Sequence, residues 1–177
     1  MTDRIYLDFN ATATAKREVI QAVADAMAAG GNASSIHGPG RAARNTVEDA
    51  RGQIASLVAA SPGSVVFTAS GTEANNQALR CSGRERIIVS SIEHESVLQA
   101  VPDPTIAPVD GDGVIDLDAL ARLLEAGGGD ATLVSVMLAN NETGVIQPMA
   151  RVVKLAHDHG ALVHCDGIQA GGKIAVD

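Results

Sequence analysis

The 177-residue sequence contains no tryptophan, one tyrosine and two phenylalanines. Any core must therefore be built from Ala, Val, Ile and Leu, a composition suited to an α/β protein with buried parallel strands. Positive charge is scarce: 13 Lys and Arg stand against 21 Asp and Glu, for a net charge of −8. With no basic patch, the sequence argues against a nucleic-acid partner. No apolar run reaches membrane-spanning length, and the opening MTDRIYLDFN has no apolar signal core. The expectation is a cytoplasmic protein with no membrane partner. The two cysteines, Cys81 and Cys165, form no CxxC pair. In a cytosolic protein they read as incidental thiols, not as a disulfide or metal site.

What is present is enough for one folded domain: 46% of residues are hydrophobic and 19% charged. Helical spacing of apolar residues predicts helices at Arg17 to Ala29, with Val19, Val23 and Met27 on one face, and at Gly40 to Ala60. A short β-rich run, Ser64 to Thr68, follows the turn at Ser61–Pro62–Gly63. Ser70–Gly71–Thr72 opens a helix that runs to about Cys81. Arg86 to Ser90 is a buried-strand run and Glu93 to Ala100 is helical. Pro102, Pro104 and Pro108 mark a loop with at most a short strand. Leu117 to Glu125 is an amphipathic helix, Thr132 to Leu138 a strand, and Pro148 stands in the first turn of a helix reaching about His159. Leu162 to Cys165 is the last clear strand, and Ile174 to Asp177 reads as an edge of structure cut short. This alternation predicts a mostly parallel sheet flanked by helices.

In open α/β sheets, ligands bind beyond the carboxyl ends of the strands. Four segments stand at such ends. Thr68-Ala69-Ser70-Gly71-Thr72-Glu73 offers small residues and a helix N-terminus, which suits a phosphate; it equally fits a plain N-cap by Ser70 or Thr72. In Ser91-Ile92-Glu93-His94 the histidine can stack on a planar ring or move protons, or it can be a surface residue at a helix start. Asn140-Asn141-Glu142-Thr143-Gly144 gives two amides in a turn, with an ordinary Asx turn as the alternative. In His164-Cys165-Asp166-Gly167-Ile168-Gln169, a carboxylate at a buried strand end calls for a cation, unless it caps the following turn. A zinc site from His94, His164, Cys165 and Asp166 matches no known ligand spacing.

Taken together, these segments resemble the cysteine desulfurases of the class V aminotransferases. The resemblance rests on Tyr6-Leu7-Asp8-Phe9-Asn10-Ala11-Thr12, on Gly31 to His37 with Gly40 and Arg41, on Phe67 to Asn76, on Glu93-His94, on Asn140 to Gly144 and on Asp166 to Gln169. The order and spacing match along the whole chain. Asn32-Ala33 and Ala13-Thr14 depart from the family's usual Asn-Pro and Thr-Pro, and Ala69-Ser70-Gly71 permutes small residues in the phosphate loop.

The resemblance implies a pyridoxal 5'-phosphate (PLP) cofactor on the large domain of a type I PLP transferase, here truncated. Residues 1–15 would form the N-terminal segment of the small domain at the active-site edge, and residues 16–177 part of the PLP-binding large domain. By resemblance, Gly71 and Thr72 bind the phosphate. His94 is catalytic, stacking on the ring and shuttling protons. Asn141 lies by the ring hydroxyl and the substrate, Asp166 pairs with the ring nitrogen and Gln169 with the ring oxygen. Asn10, Ala11 and Thr12 border the substrate. The implied substrate is L-cysteine, converted to alanine as its sulfur passes through an enzyme persulfide to an acceptor or scaffold protein for iron–sulfur cluster assembly. The implied assembly is a homodimer.

The family's Schiff-base lysine follows the Asp-x-x-Gln motif in a Ser-x-His-Lys segment, and nothing of that kind follows Gln169. Lys16, Lys154 and Lys173 are the lysines present, and none has that place. The persulfide cysteine likewise belongs to the family's later half, so neither Cys81 nor Cys165 inherits its role. The expectation is a chain inactive on its own. Another class V activity, such as that of a selenocysteine lyase, and a non-catalytic module or half of a split enzyme stand as alternatives.

Overall fold

The computed structural model describes residues 5–176. The chain divides into two compact units, one running to Val66 and taking back the chain from Ile174, the other comprising Phe67–Lys173.

The first unit holds α1 (Arg17–Ala29) and α2 (Gly38–Leu57). α1 has the predicted bounds, yet none of its residues is buried: Val19, Ile20, Val23 and Met27 all stay more than half exposed. α2 starts two residues before the sequence expectation, because His37 caps it. The His37 Nδ1 accepts the Gly40 N–H at 3.3 Å, and Pro39 lies in the first turn. Gly40 is buried where a Cβ would press on the backbone and side chain of Ser35. α2 ends at Leu57 and not Ala60. Ala59 turns left-handed at φ 51°, and the Ala60 N–H closes back on the Ala55 carbonyl at 2.9 Å.

The strand expected at Ser64 to Thr68 does not form. Pro62–Ser64 is a 3₁₀ turn, the residues after it belong to no ladder, and Val66 and Phe67 are half exposed or more. Apolar patterning reports β-compatibility, while strand status depends on a neighbour that the local sequence does not encode.

The second unit contains α3 (Gly71–Arg80), β1 (Arg86–Ser90), α4 (Glu95–Leu98), β2 (Thr105–Ala107), α5 (Leu117–Glu125), β3 (Thr132–Ser135), α6 (Met149–Asp158) and β4 (Leu162–His164). The strands form one sheet in the order β2-β1-β3-β4, and every pairing is parallel. Side-chain alternation along the strands divides the core in two. Ile88 and Val134 point to the face covered by Leu120 and Leu124 of α5 and by Val152 and Ala156 of α6. Ile87, Val89 and Leu133 point to the opposite face, against Leu79 of α3 and Val97 of α4. The unit is thus a three-layer α/β/α arrangement, in agreement with the sequence reading.

The remaining differences are local. α4 is a single turn within the predicted Glu93 to Ala100 helix. β3 ends at Ser135, although the Val136 and Leu138 N–H groups continue its hydrogen bonding onto the carbonyls of His164 and Asp166 at 3.1 and 2.9 Å. Pro148 occupies the N-cap of α6, one position before the first turn. Among the described residues no helix is long and apolar enough to cross a membrane.

Candidate functional site

Parallel pairing brings the carboxyl ends of β1, β3 and β4 to one edge of the sheet, so the segments after Ser90, Ser135 and His164 converge there. α3 joins them: Asn75, in its middle, bonds the segments after β1 and β4, and Thr72 in its first turn lines a cleft with His94 and Ser96.

α3 begins with a capped turn. The Ser70 Oγ accepts the Glu73 N–H at 3.2 Å, and the Glu73 carboxylate accepts the Ala69 N–H at 2.7 Å. This is a capping box displaced by one residue. The N-cap reading of the sequence is therefore realised, but it leaves room for the phosphate reading. The backbone N–H groups of Gly71 and Thr72 have no acceptor among the described residues, and the helix dipole is positive at that point.

After β1 the chain turns through Glu93 and His94. Glu93 is only 6% exposed. Its Oε1 accepts the Ser90 hydroxyl and the Met137 N–H, each at 2.6 Å, which ties the end of β1 to the segment after β3. Its Oε2 is buried with no hydrogen-bond partner among the described residues. Burial holds this carboxyl above its ordinary value. The bonds from Ser90 and Met137 pull it part of the way back, and the charge of Asp166 adds to the rise. His94 is the exposed N-cap of α4, and its Nδ1 accepts the Ser96 N–H at 3.1 Å.

After β3, Asn140 and Asn141 take different roles. Asn140 is buried and organises the loop as an Asx turn. Its Oδ1 accepts the Glu142 and Thr143 N–H groups at 2.9 and 2.8 Å, and its Nδ2 donates to the Ile92 carbonyl at 3.1 Å. Asn141, the predicted ring neighbour, is half-buried beside it.

Asp166 stands two residues past β4. One carboxylate oxygen accepts the Ile168 N–H at 3.0 Å and the other accepts the Asn75 amide at 2.8 Å. The capping alternative thus uses one oxygen only. The same Asn75 nitrogen donates to the Ser96 hydroxyl at 2.9 Å, and that hydroxyl lies 2.8 Å from His94 Nδ1. Asp166 and His94, 72 positions apart in sequence, are linked through two side chains that sequence reasoning missed. Asn75 did leave a signal: it lies four residues before the buried Leu79, on the inward stripe of α3. Gln169 is half-buried, and its Oε1 accepts the Lys173 ammonium at 2.5 Å.

Two neighbours complete the electrostatics. The His164 Nδ1 contacts the Ser135 hydroxyl at 2.9 Å, and burial lowers its pKa against the opposing pull of Asp166. The Cys165 thiol is pushed up to about 11 by desolvation and by the charges of Glu93 and Asp166. A thiol so held is a poor nucleophile at neutral pH. The structure thus brings Gly71, Thr72, His94, Asn141, Asp166 and Gln169 into the second unit. Asn10, Ala11 and Thr12 belong to the first, where the Thr12 N–H bonds the Asp8 carbonyl at 3.4 Å and the Tyr6 hydroxyl donates to the Thr12 carbonyl at 3.3 Å.

Comparison with known proteins gives a consistent result. Residues 5–177 match the family model of class V aminotransferases. The chain is 38% identical to an IscS-like cysteine desulfurase of Mycobacterium tuberculosis, over 97% of this chain and 48% of that protein. It is also 38% identical to a cysteine desulfurase of Cereibacter sphaeroides, over 98% of this chain and 48% of that one. Among solved structures, a NifS-like protein from Rickettsia africae superposes with a TM-score of 0.90 at 35% identity, over 98% of this chain and 50% of that one. The chain spans about half the length of the curated relatives it matches.

Proposed function

Because the chain belongs to the class V aminotransferase family, we propose that it carries the ring-binding side of a PLP site of the cysteine desulfurase type. The whole protein's reaction on this reading is removal of sulfur from L-cysteine to leave alanine. The sulfur passes to an acceptor or scaffold protein for iron–sulfur cluster assembly. The observation that carries the proposal is the convergence of Asp166, His94 and the open N-terminus of α3 at one edge of a parallel sheet.

The donor set fits the cofactor's chemistry. A phosphate needs N–H donors and a positive potential, which the first turn of α3 offers. A protonated ring nitrogen needs an anion, and Asp166 is a carboxylate with a preset orientation. A ring face needs a flat partner, and His94 is an exposed imidazole anchored at its Nδ1 side. When bound, PLP supplies an electron sink for the substrate carbon next to the amine. Gly71 and Thr72 would hold the phosphate at the start of α3. Asp166 would pair with the protonated ring nitrogen, and His94 would lie over the ring and move protons. Asn141 and Gln169 would face the ring oxygen. The assembly on this reading is a homodimer, and the exposed apolar stripe of α1 supplies a surface suited to burial between chains.

None of the lysines stands at the place of the family's Schiff-base lysine, after the Asp-x-x-Gln motif in a Ser-x-His-Lys segment. Lys16 is the N-cap of α1, Lys154 pairs with Asp158 at 2.7 Å on an exposed face of α6, and Lys173 donates to Gln169. On this reading PLP is held by this chain non-covalently. Equilibrium dialysis against PLP tests the reading. The chain binds PLP, and Asp166→Ala weakens binding about 10- to 100-fold, the scale of losing a charge-assisted hydrogen bond. Borohydride reduction leaves no pyridoxyl group on lysine, and the chain releases no alanine from L-cysteine. Equal PLP binding by Asp166→Ala would refute the assignment of the ring nitrogen to that carboxylate.

A further inference from the structure

The donor and acceptor of each bond between Asp166 and His94 can be worked out from the groups that join them. The Asn75 side-chain nitrogen lies 2.8 Å from one oxygen of Asp166 and 2.9 Å from the Ser96 hydroxyl. The opposite amide orientation would set the Asn75 oxygen against a carboxylate, acceptor against acceptor. The amide therefore gives one hydrogen to Asp166 and the other to Ser96. Asn75 is 6% exposed, so water does not offer an easy substitute for either bond.

Having accepted from Asn75, the Ser96 hydroxyl has its single hydrogen to give. The His94 Nδ1 is 2.8 Å away, and the Ser96 backbone N–H, which can only donate, reaches the same nitrogen at 3.1 Å. A proton on Nδ1 would confront that N–H directly. Nδ1 is thus an acceptor, and the ring proton of neutral His94 belongs on Nε2.

We propose that Asn75 and Ser96 are positioning residues forming a hydrogen-bond chain that diverges from Asn75, Asp166 ← Asn75 → Ser96 → His94, which fixes His94 as its Nε2–H tautomer and couples the ring's orientation to that of Asp166. Proton exchange by His94 then takes place at Nε2, the nitrogen that these bonds leave unengaged. The consequence for PLP rests on the function proposed above, whereas the tautomer does not.

The test uses the 177-residue chain labelled with ¹⁵N. Long-range ¹H–¹⁵N correlation distinguishes the two imidazole tautomers without any cofactor, and PLP affinity is measured in parallel. The expected result is the Nε2–H pattern for His94 in the unaltered chain. Ser96→Ala removes the hydroxyl donor, so the His94 pattern shifts and PLP affinity falls about tenfold. Ser96→Thr, which keeps the hydroxyl, restores both. Asn75→Asp replaces the two-hydrogen donor by a second carboxylate and lowers affinity by at least about tenfold. Gln77→Ala, an exposed change on the same helix, alters neither. A proton on Nδ1 in the unaltered chain overturns this set of hydrogen bonds, with no variant needed. So does an unchanged His94 pattern with unchanged affinity in both Ser96→Ala and Asn75→Asp. An unaltered chain that shows the Nε2–H pattern yet binds no PLP supports these hydrogen bonds and overturns the cofactor reading instead.

Discussion

Glu93 shows how a single side chain can serve a site at some cost to the fold. Its Oε1 fastens two strand ends, while its Oε2 is buried without a partner among the described residues. The folded state therefore favours the protonated carboxyl. Above the ordinary carboxylate pKa the unfolded chain has released this proton and the folded chain has not. Stability accordingly falls as pH rises through the interval up to the raised folded value, then levels off. A glutamine in its place would not titrate. In urea unfolding across the acid range, Glu93→Gln should gain stability relative to the parent as pH rises through that interval; a pH-independent difference would contradict the assignment. Gly129 makes a steric counterpart. A Cβ there would collide with the His159 carbonyl, a backbone atom that cannot swing aside. Gly129→Ala should cost about 2 kcal/mol, readable as a lower urea midpoint at unchanged m-value. The individual site residues had very unequal visibility in sequence. Asp166 and His94 stood out because carboxylates and imidazoles at strand ends are chemically conspicuous. Asn75 and Ser96 did not, because their importance lies in partners up to 91 positions away.

At the scale of elements, legibility followed the origin of each element's order. α1, α5 and β1 have the bounds read from sequence, since periodicity and Gly, Pro or charged flanks define them locally. α2 began early because a histidine served as its cap, a residue type that helix-start rules do not favour. The Ser64 to Thr68 strand failed because strand formation is a tertiary property. α3 combines both kinds of information. Ser70 and Glu73 cap it in the way the sequence advertises, while its inward stripe of Asn75 and Leu79 emerges only against the sheet and α4. Ser70→Ala should therefore destabilise the chain by about 1 kcal/mol. It should also weaken PLP binding modestly by loosening the first turn, which a thermal melt with and without PLP measures directly. A full stability loss with unaltered PLP affinity would separate the cap from the phosphate site.

At the scale of the whole molecule, the sheet's carboxyl edge is the feature from which the functional reading grows. Four parallel strands deliver their following loops to one side, and a buried amide of α3 ties together the segments after β1 and β4. The charge balance, the sparse aromatics and the parallel order were all legible in composition and alternation. The chain's span, about half that of its relatives, is a matter of comparison. The central claim is that this edge is the ring-binding side of a PLP site. It is tested most directly by an experimental structure of the chain crystallised with PLP. The account predicts the phosphate on the Gly71 and Thr72 N–H groups, the ring beneath His94, and the ring nitrogen within hydrogen-bonding distance of Asp166. Cofactor bound elsewhere, or at this edge with Asp166 turned away from the ring, would contradict it.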